Sequence, residues 1–312
     1  MKKSLIALAV LAAAGAASAQ SSVQLYGTVD AILHKDKGAS TALTSGGVGS
    51  SNFGLKGSED LGGGLKANFK LEQGFNVDNG STAAGQAFSR ESWVGVSGGF
   101  GEVQIGKTWT AYDDAFGGFG VFDAGVLAPA KQLFGNNYAD QAANGVKYIT
   151  PTYAGFSGAV SYSLDESKLV KEDIASANVK YENGPLAAGL AFQDKKTSGD
   201  KLTFANASYN FGVVKLLGAV QHENLGGGVK ANGYNLAVDY PVASNIVLSA
   251  AYGSYKADGQ ERANVTSVAA AYLLSKRTTV YAGLSNANDA ATAQFTKTAP
   301  DSRFGVGVRH TF

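Results

Sequence analysis

From Val23 to Phe312 the chain repeats one device: a stretch of about ten residues in which apolar and polar side chains alternate, closed by a turn. Tyr234, Leu236, Val238 and Tyr240 form one such apolar row, with Asn235 and Asp239 between them. Others are Ile246–Leu248–Ala250–Tyr252, Val268–Ala270–Tyr272–Leu274, Val280–Ala282–Leu284, and Phe304–Val306–Val308–His310–Phe312 at the end of the chain. Comparable stretches begin near Val23, Ser51, Gly64, Phe88, Gly101, Gly145, Phe156, Ile174, Pro185, Lys201 and Val213, and the 234–240 row itself begins near Val229, sixteen strands in all. Successive side chains of a strand point to opposite faces, so each stretch is apolar on one face and polar on the other.

The connections sort by length. Short joints bearing Gly, Asn or Pro occur at 60–64, 97–101, 150–155, 183–185, 210–212, 241–245 and 275–277. Between them lie longer polar connections around 34–50, 76–87, 110–144, 165–173, 194–200, 222–228, 255–262 and 286–302. Strict alternation of short and long, with an even number of strands, predicts an all-β, 16-stranded antiparallel transmembrane β-barrel, with short turns at one rim and long loops at the other. A secreted β-sandwich or propeller also alternates and turns often, but it does not require that regularity of connections.

Composition agrees. Charged residues are only 16%, against about 25% in soluble domains, while 41 Gly, 14 Tyr and 16 Phe suit strands and tight turns. There is no apolar run long enough for a membrane helix beyond the N-terminus, and a barrel needs none. Lys2 and Lys3, the apolar stretch from Leu5 to Ala14, and Ala17-Ser18-Ala19 read as a secretory signal over 1–19, which leaves the barrel as 20–312. The balance of 26 Lys plus Arg against 25 Asp plus Glu gives +1 and argues against a nucleic-acid partner. The absence of Cys removes disulfides, thiolate metal sites and cysteine nucleophiles.

The segment GLKGSEDLGGGLKANFKLEQGF at 54–75 closely resembles the first turn and flanking strands of the general porins of Gram-negative bacteria, beta-proteobacterial type. VQLYGTVDA (23–31), SRESWVGVSGGFGEVQIGK (89–107), LSKRTTVYAGL (274–284) and the terminal FGVGVRHTF recur in that family in the same order. The resemblance covers the whole mature chain. It implies a homotrimeric, water-filled channel in the outer membrane, surrounded by lipid and lipopolysaccharide, through which small hydrophilic solutes diffuse. It further implies that the third external loop folds inward as a constriction, that YDDAFGGFG at 112–120 is that loop's beginning, and that Phe312 is read by the barrel-assembly machinery. A simpler reading of Phe312 is a last strand contributing to the interfacial aromatic girdle.

Alternation then assigns the channel wall. The connection 110–144 is far longer than ordinary loops and carries Asp113, Asp114, Asp123 and Asp140 against Lys131. If Leu55, Leu65, Phe69 and Leu71 face lipid, Lys56, Lys66, Lys70 and Glu72 face the lumen. The same parity turns Lys147, Lys180, Lys215 and Arg309 inward, with Asp30, Glu91 and Asp239 as inward acids. A basic wall facing an acidic loop sets a field across the channel. Arg90 and Lys107 fall on the apolar row, which a bulge, a rim position or a subunit interface would explain. The chain departs from the family's basic constriction, having Asn52-Phe53 where many relatives have Arg before the G-L-[KR]-G motif, and acidic Glu91 beside Arg90. The expectation is a weakly selective channel with a slight anion tilt. The alternative is a receptor or adhesin barrel acting through its external loops. His34, His222 and His310 are too scattered for a metal site, and no catalytic or cofactor-binding motif occurs.

Overall fold

The computed structural model describes residues 22–116, 125–134, 137–164, 172–296 and 298–312; the expected signal segment and Asp123 lie outside them. The strands are β1 (Ser22–Asp36), β2 (Thr41–Ser45), β3 (Asn52–Gly62), β4 (Leu65–Gly74), β5 (Glu91–Gly98), β6 (Gly101–Trp109), β7 (Gln141–Ile149), β8 (Phe156–Ser163) and β9 (Ile174–Asn183). They continue as β10 (Leu186–Lys195), β11 (Lys201–Asn210), β12 (Lys215–Asn224), β13 (Lys230–Ala243), β14 (Ile246–Ala257), β15 (Ala263–Leu273), β16 (Thr278–Ala287) and β17 (Ser302–Thr311). Each pairs antiparallel with its neighbour, and β1 pairs with β17 from Thr28↔Thr311 to Asp36↔Arg303, so the sheet closes on itself. Closure matters because an open edge would leave a row of unpaired N–H and C=O groups in hydrocarbon.

The barrel wall has the sixteen strands expected. The additional strand, β2, lies inside the first long connection and pairs only with the far part of β1 (Ala31↔Ser45 to Lys35↔Thr41), where it prolongs the edge that β3 supplies lower down. Thr41 to Ser45 is too short and too polar to stand out from the surrounding connection by period alone.

The two faces of the wall differ as the pattern requires. Outward rows carry Val220, Leu236, Val268 and Phe304, all more than half exposed to the surroundings, while their neighbours Gln221, Asn235, Ser267 and Arg303 are buried. In water such an apolar surface would be far larger than a monomer tolerates; facing lipid it costs nothing. Among the described residues no helix is long and apolar enough to cross a membrane, so the strands cross it. Short turns at one rim use Gly where the backbone needs positive φ: Gly62, Gly63 and Gly64 have φ of 80°, 62° and 82°.

The packed apolar core belongs to the inward face of the wall. Three short helices, α1 (Asp113–Phe116), α2 (Pro129–Leu133) and α3 (Asp289–Gln294), lie in the connections. Tyr112, Phe116, Leu133 and Phe134 are buried against Leu202, Phe204, Leu217 and Val265, with α1 on β9–β11 and α2 on β13–β15.

Candidate functional site

On β3–β6 the inward row assembles a compact charge network. Register places Glu72 directly opposite Glu91 and Lys56 opposite Lys70. Like charges across a strand pair repel, so counter-ions must sit between them. Lys70 pairs with Glu91 and lies 3.4 Å from Glu72, while Arg90 pairs with Glu72 through Nε. Neutral donors complete the shell: the Tyr26 hydroxyl donates to Glu72 at 2.8 Å and Trp93 Nε1 to Glu91 at 2.9 Å. The ammonium groups of Lys56 and Lys70 lie 5.1 and 5.6 Å from the Tyr26 ring, and the Arg90 guanidinium 4.9 Å from the Trp109 ring, within cation–π range. Both carboxylates are only 5% exposed, which is tolerable because each is paired and hydrogen-bonded.

Arg90 and Lys107 therefore leave the apolar row by identifiable means. Arg90 precedes β5, where Phe88 has φ 48° and the Arg90 N–H donates to the Glu72 carbonyl at 3.1 Å, which lets the side chain turn to Glu72. Lys107 sits in the register shift between Gly106 and Thr108, with Gly106 at φ 134°, and donates to the Ser89 carbonyl. A bulge is the explanation for the second.

The described residues of the connection after β6 are tied to one another and to the inward face of the wall at many points. Lys147, 4% exposed, donates to Asp114 Oδ1 at 2.8 Å, lies 2.6 Å from its Oδ2, and donates to the Trp109 carbonyl at 3.0 Å. Tyr138 donates to Asp113 Oδ1 at 2.9 Å. Burial pushes the Asp113 carboxyl up to about 7, and burial likewise raises Asp114, opposed by Lys147. Tyr112, Phe116, Tyr138 and Phe204 form an aromatic cluster with ring centroids 4.7 to 6.5 Å apart, the Tyr112–Phe116 pair stacked and the others tilted.

Wall side chains meet the segment's backbone. Gln193 accepts from the Ala139 N–H at 2.7 Å and donates to its carbonyl at 2.9 Å; Asn178, Asn206 and Ser267 donate to the carbonyls of Ala111, Ala115 and Leu127. Asn137 donates to Glu223 at 2.7 Å, beside the Tyr255 hydroxyl, which donates at 2.8 Å. Glycines open the seats for the bulky groups. A Cβ at Gly253 would lie 2.7 Å from Pro129 Cβ, one at Gly283 2.6 Å from Leu127, and one at Gly233 3.1 Å from the Phe134 ring.

Two recesses border this segment. One, of about 310 Å³, brings Asp113, Lys131 and Asp140 together with Arg90, Trp109 and Arg309; the other, of about 240 Å³, brings Asp114 together with Lys180, Glu182 and Lys215. Lys56 and Lys66 are exposed on β3 and β4. Of the inward acids, Asp30 is fully buried and holds the chain after β2, accepting from the N–H groups of Gly47, Val48 and Gly49 at 3.0, 2.9 and 2.8 Å and from the Tyr281 hydroxyl at 2.5 Å. Asp239 accepts from Ser249. Phe312 lies at the seam: its backbone exchanges hydrogen bonds with Gly27 at 3.0 and 3.2 Å, and its ring covers the space a Gly27 side chain would take. Among the described residues no group of three metal-binding side chains exists. Sequence reasoning missed Tyr26, Trp93 and Trp109 as partners of the charges and Asn178, Gln193, Asn206 and Glu223 as anchors; a polar residue on an inward row reads the same whether water or chain covers it.

The chain matches the family model for Gram-negative porins over residues 5–292. It is 37% identical to outer membrane porin protein 32 of Delftia acidovorans and 31% identical to an outer membrane porin protein of Bordetella pertussis, each alignment covering 100% of both chains. The solved structure of an anion-selective porin from Comamonas acidovorans superposes with a TM-score of 0.81 at 32% identity, covering 94% of this chain and 100% of that one. OmpT of Vibrio cholerae in its trimer form, at 18% identity, 94% and 99% coverage and a TM-score of 0.70, shares the fold. Proteins of this family are channels rather than enzymes. The chain belongs to the Gram-negative porin family and is an outer-membrane porin.

Proposed function

We propose that the protein is a weakly selective diffusion channel for small hydrophilic solutes and ions, with a slight anion tilt, and that the connection after β6 is its constriction. The observation that carries this reading is the pair of charged recesses between that connection and the wall. Around them and the adjoining network stand Lys56, Lys70, Arg90, Lys131, Lys147, Lys180, Lys215 and Arg309, eight cations, against Glu72, Glu91, Asp113, Asp114, Asp140 and Glu182, six acids. Six of these charges form ion pairs, Lys70 and Arg90 with Glu72 and Glu91, and Lys147 with Asp114; the five other cations exceed the three other acids, a small positive excess, and Asp113 at about 7 is only partly ionised near neutrality. A small excess gives weak selectivity. The anion-selective Comamonas porin supports the sign, and the trimer form of OmpT supports assembly as a homotrimer. Lys66 is assigned to the same lumen; Asp123 lies outside the described residues. Phe312 is proposed as the residue the assembly machinery reads.

The test is the reversal potential of single channels in a planar bilayer under a salt gradient. Three equal current steps with a small displacement toward the anion side are expected. A cation-side potential would show that the acids of the loop outweigh the wall, and folded protein without conductance would refute the channel and favour the receptor reading.

A further inference from the structure

On β9, β10, β11 and β15 the inward polar side chains Asn178, Gln193, Asn206 and Ser267 are taken up by the connection after β6. The inward face of β1 and β3–β6 differs. On the short-turn side of the charge network it holds a recess of about 380 Å³. Register lays Gln24, Lys56, Lys70 and Trp93 in one row across β1, β3, β4 and β5, with Ser58 and Asn68 in the next row toward the turns. Glu102 of β6 borders the same space and accepts from Asn68 Nδ2 at 3.0 Å. The Gln24 amide, the Ser58 hydroxyl, Asn68 Oδ1 and the second Glu102 oxygen form no hydrogen bond among the described residues.

Trp93 sets this recess apart. An aromatic ring on a water-facing row keeps apolar surface in water. On other inward rows Phe204, Tyr255 and Tyr281 are buried, whereas Trp93 is half-buried. Its Nε1 donates to Glu91 at 2.9 Å, which fixes one edge of the indole. Among the described residues no cation and no second ring lies over it, while the nearby Tyr26 ring has both Lys56 and Lys70. Charge is balanced here: Lys70 is paired with Glu91, and the remaining Lys56 and Glu102 have opposite signs and form no ion pair among the described residues.

We infer that this recess binds the pyranose ring of a neutral sugar, its apolar C–H face against the Trp93 indole and its hydroxyls on Gln24, Lys56, Ser58, Asn68 and Glu102. The inference deepens the diffusion-channel reading and rests on it, since a sugar reaches the recess through the lumen. Three observations select the ligand class. The open indole face calls for a flat apolar surface on the solute. Free amide, hydroxyl, ammonium and carboxylate groups together supply donors and acceptors, which suits hydroxyls that do both. Balanced charge gives no advantage to an ionised solute, and the volume lies within the range of small-molecule sites, about 300–1,000 Å³.

The full protein in planar bilayers is titrated with D-glucose from the short-turn side while the open-channel current is recorded. A saturable decrease is expected, with a dissociation constant on the order of millimolar, whereas mannitol, an acyclic polyol without the ring face, gives only the linear decrease of a more viscous solution. W93A is expected to weaken glucose binding about tenfold and W93F, which keeps a ring but loses the bond to Glu91, by about threefold or less. Q24A is expected to weaken it by about threefold. Saturation-transfer NMR with D-glucose and the protein in detergent micelles reads the same contact without any current, as transfer to the C–H protons of the sugar in the wild type and its loss in W93A. Glucose acting like mannitol, W93A binding as tightly as the wild type, or W93F binding as weakly as W93A would overturn the inference; the last result would mean that the indole serves only to hold Glu91. Ohmic current without sugar in any of those cases leaves the channel reading standing, and sugar transfer from folded protein that does not conduct would refute the channel while keeping the site.

Discussion

Replacing Gly253 by valine sets two opposing quantities against each other. A Cβ there would lie 2.7 Å from Pro129 Cβ and 3.2 Å from Leu133, while carbon atoms rest about 3.5–4.0 Å apart. Helix α2 must therefore move about 1 Å away from β14, at a cost of about 1–3 kcal/mol. Holding it in place is the burial of Leu127, Leu133 and Phe134, none more than 1% exposed, each contributing about 1.5–3 kcal/mol and together about 5–9 kcal/mol. The seat outweighs the clash, so the helix is displaced toward the barrel axis and stays docked. Single-channel conductance of G253V, measured in concentrated salt where charges are screened within about 3 Å, is expected to fall below wild type. G218A is the control, since the nearest atom to its Cβ is an ordinary 3.5 Å away. Unchanged conductance would show that the segment does not bound the channel, and a rise toward that of an empty barrel would show that the seat is weaker than calculated.

Burial raises the Asp113 carboxyl from 3.8 to about 7, so the docked segment favours the neutral acid. Its docking is tightest below about pH 4, weakens as pH rises to about 7, and is constant beyond. The anion-to-cation permeability ratio is expected to fall between about pH 6 and pH 8 in the wild type and to stay flat in D113N; a flat wild-type profile would refute the assignment. R90L leaves buried Glu72 with Lys70 as its remaining cation, a loss of about 3–5 kcal/mol. Denaturant unfolding followed by the fluorescence of Trp93 and Trp109, the two tryptophans of the chain, should move to lower midpoint, and E72Q/R90L should recover part of the loss. D30A orphans the N–H groups of Gly47, Val48 and Gly49, at about 1–3 kcal/mol each where buried. Hydrogen exchange at those amides should accelerate while that of β9–β12 does not change.

The strand count, the closed architecture and the parity of each strand were readable from residues alone. A side chain's face in a strand follows from counting, and lipid outside with water inside makes the two faces chemically opposite. Lys56, Lys70, Glu72 and Arg309 were placed on the inward row for that reason. Counting fails where the backbone leaves the pleat: Arg90, after the positive φ at Phe88, and Lys107, beside the bulge at Gly106, both turn away from the apolar row that parity assigns them. It also fails to say what a polar group is for. Asp30 and Glu72 look alike on their rows, yet one secures the chain after β2 and the other joins the network of Tyr26, Lys70 and Arg90.

Local periodicity, then, determined by itself that this chain would close into a sixteen-stranded barrel, because the hydrocarbon of a membrane imposes one rule on every strand. Tertiary structure alone decided which charges neutralise one another and where the long connection after β6 comes to rest. Those outcomes depend on residues far apart in sequence, such as Asp114 with Lys147 and Pro129 with Gly253, whose meeting no repeat in the chain encodes.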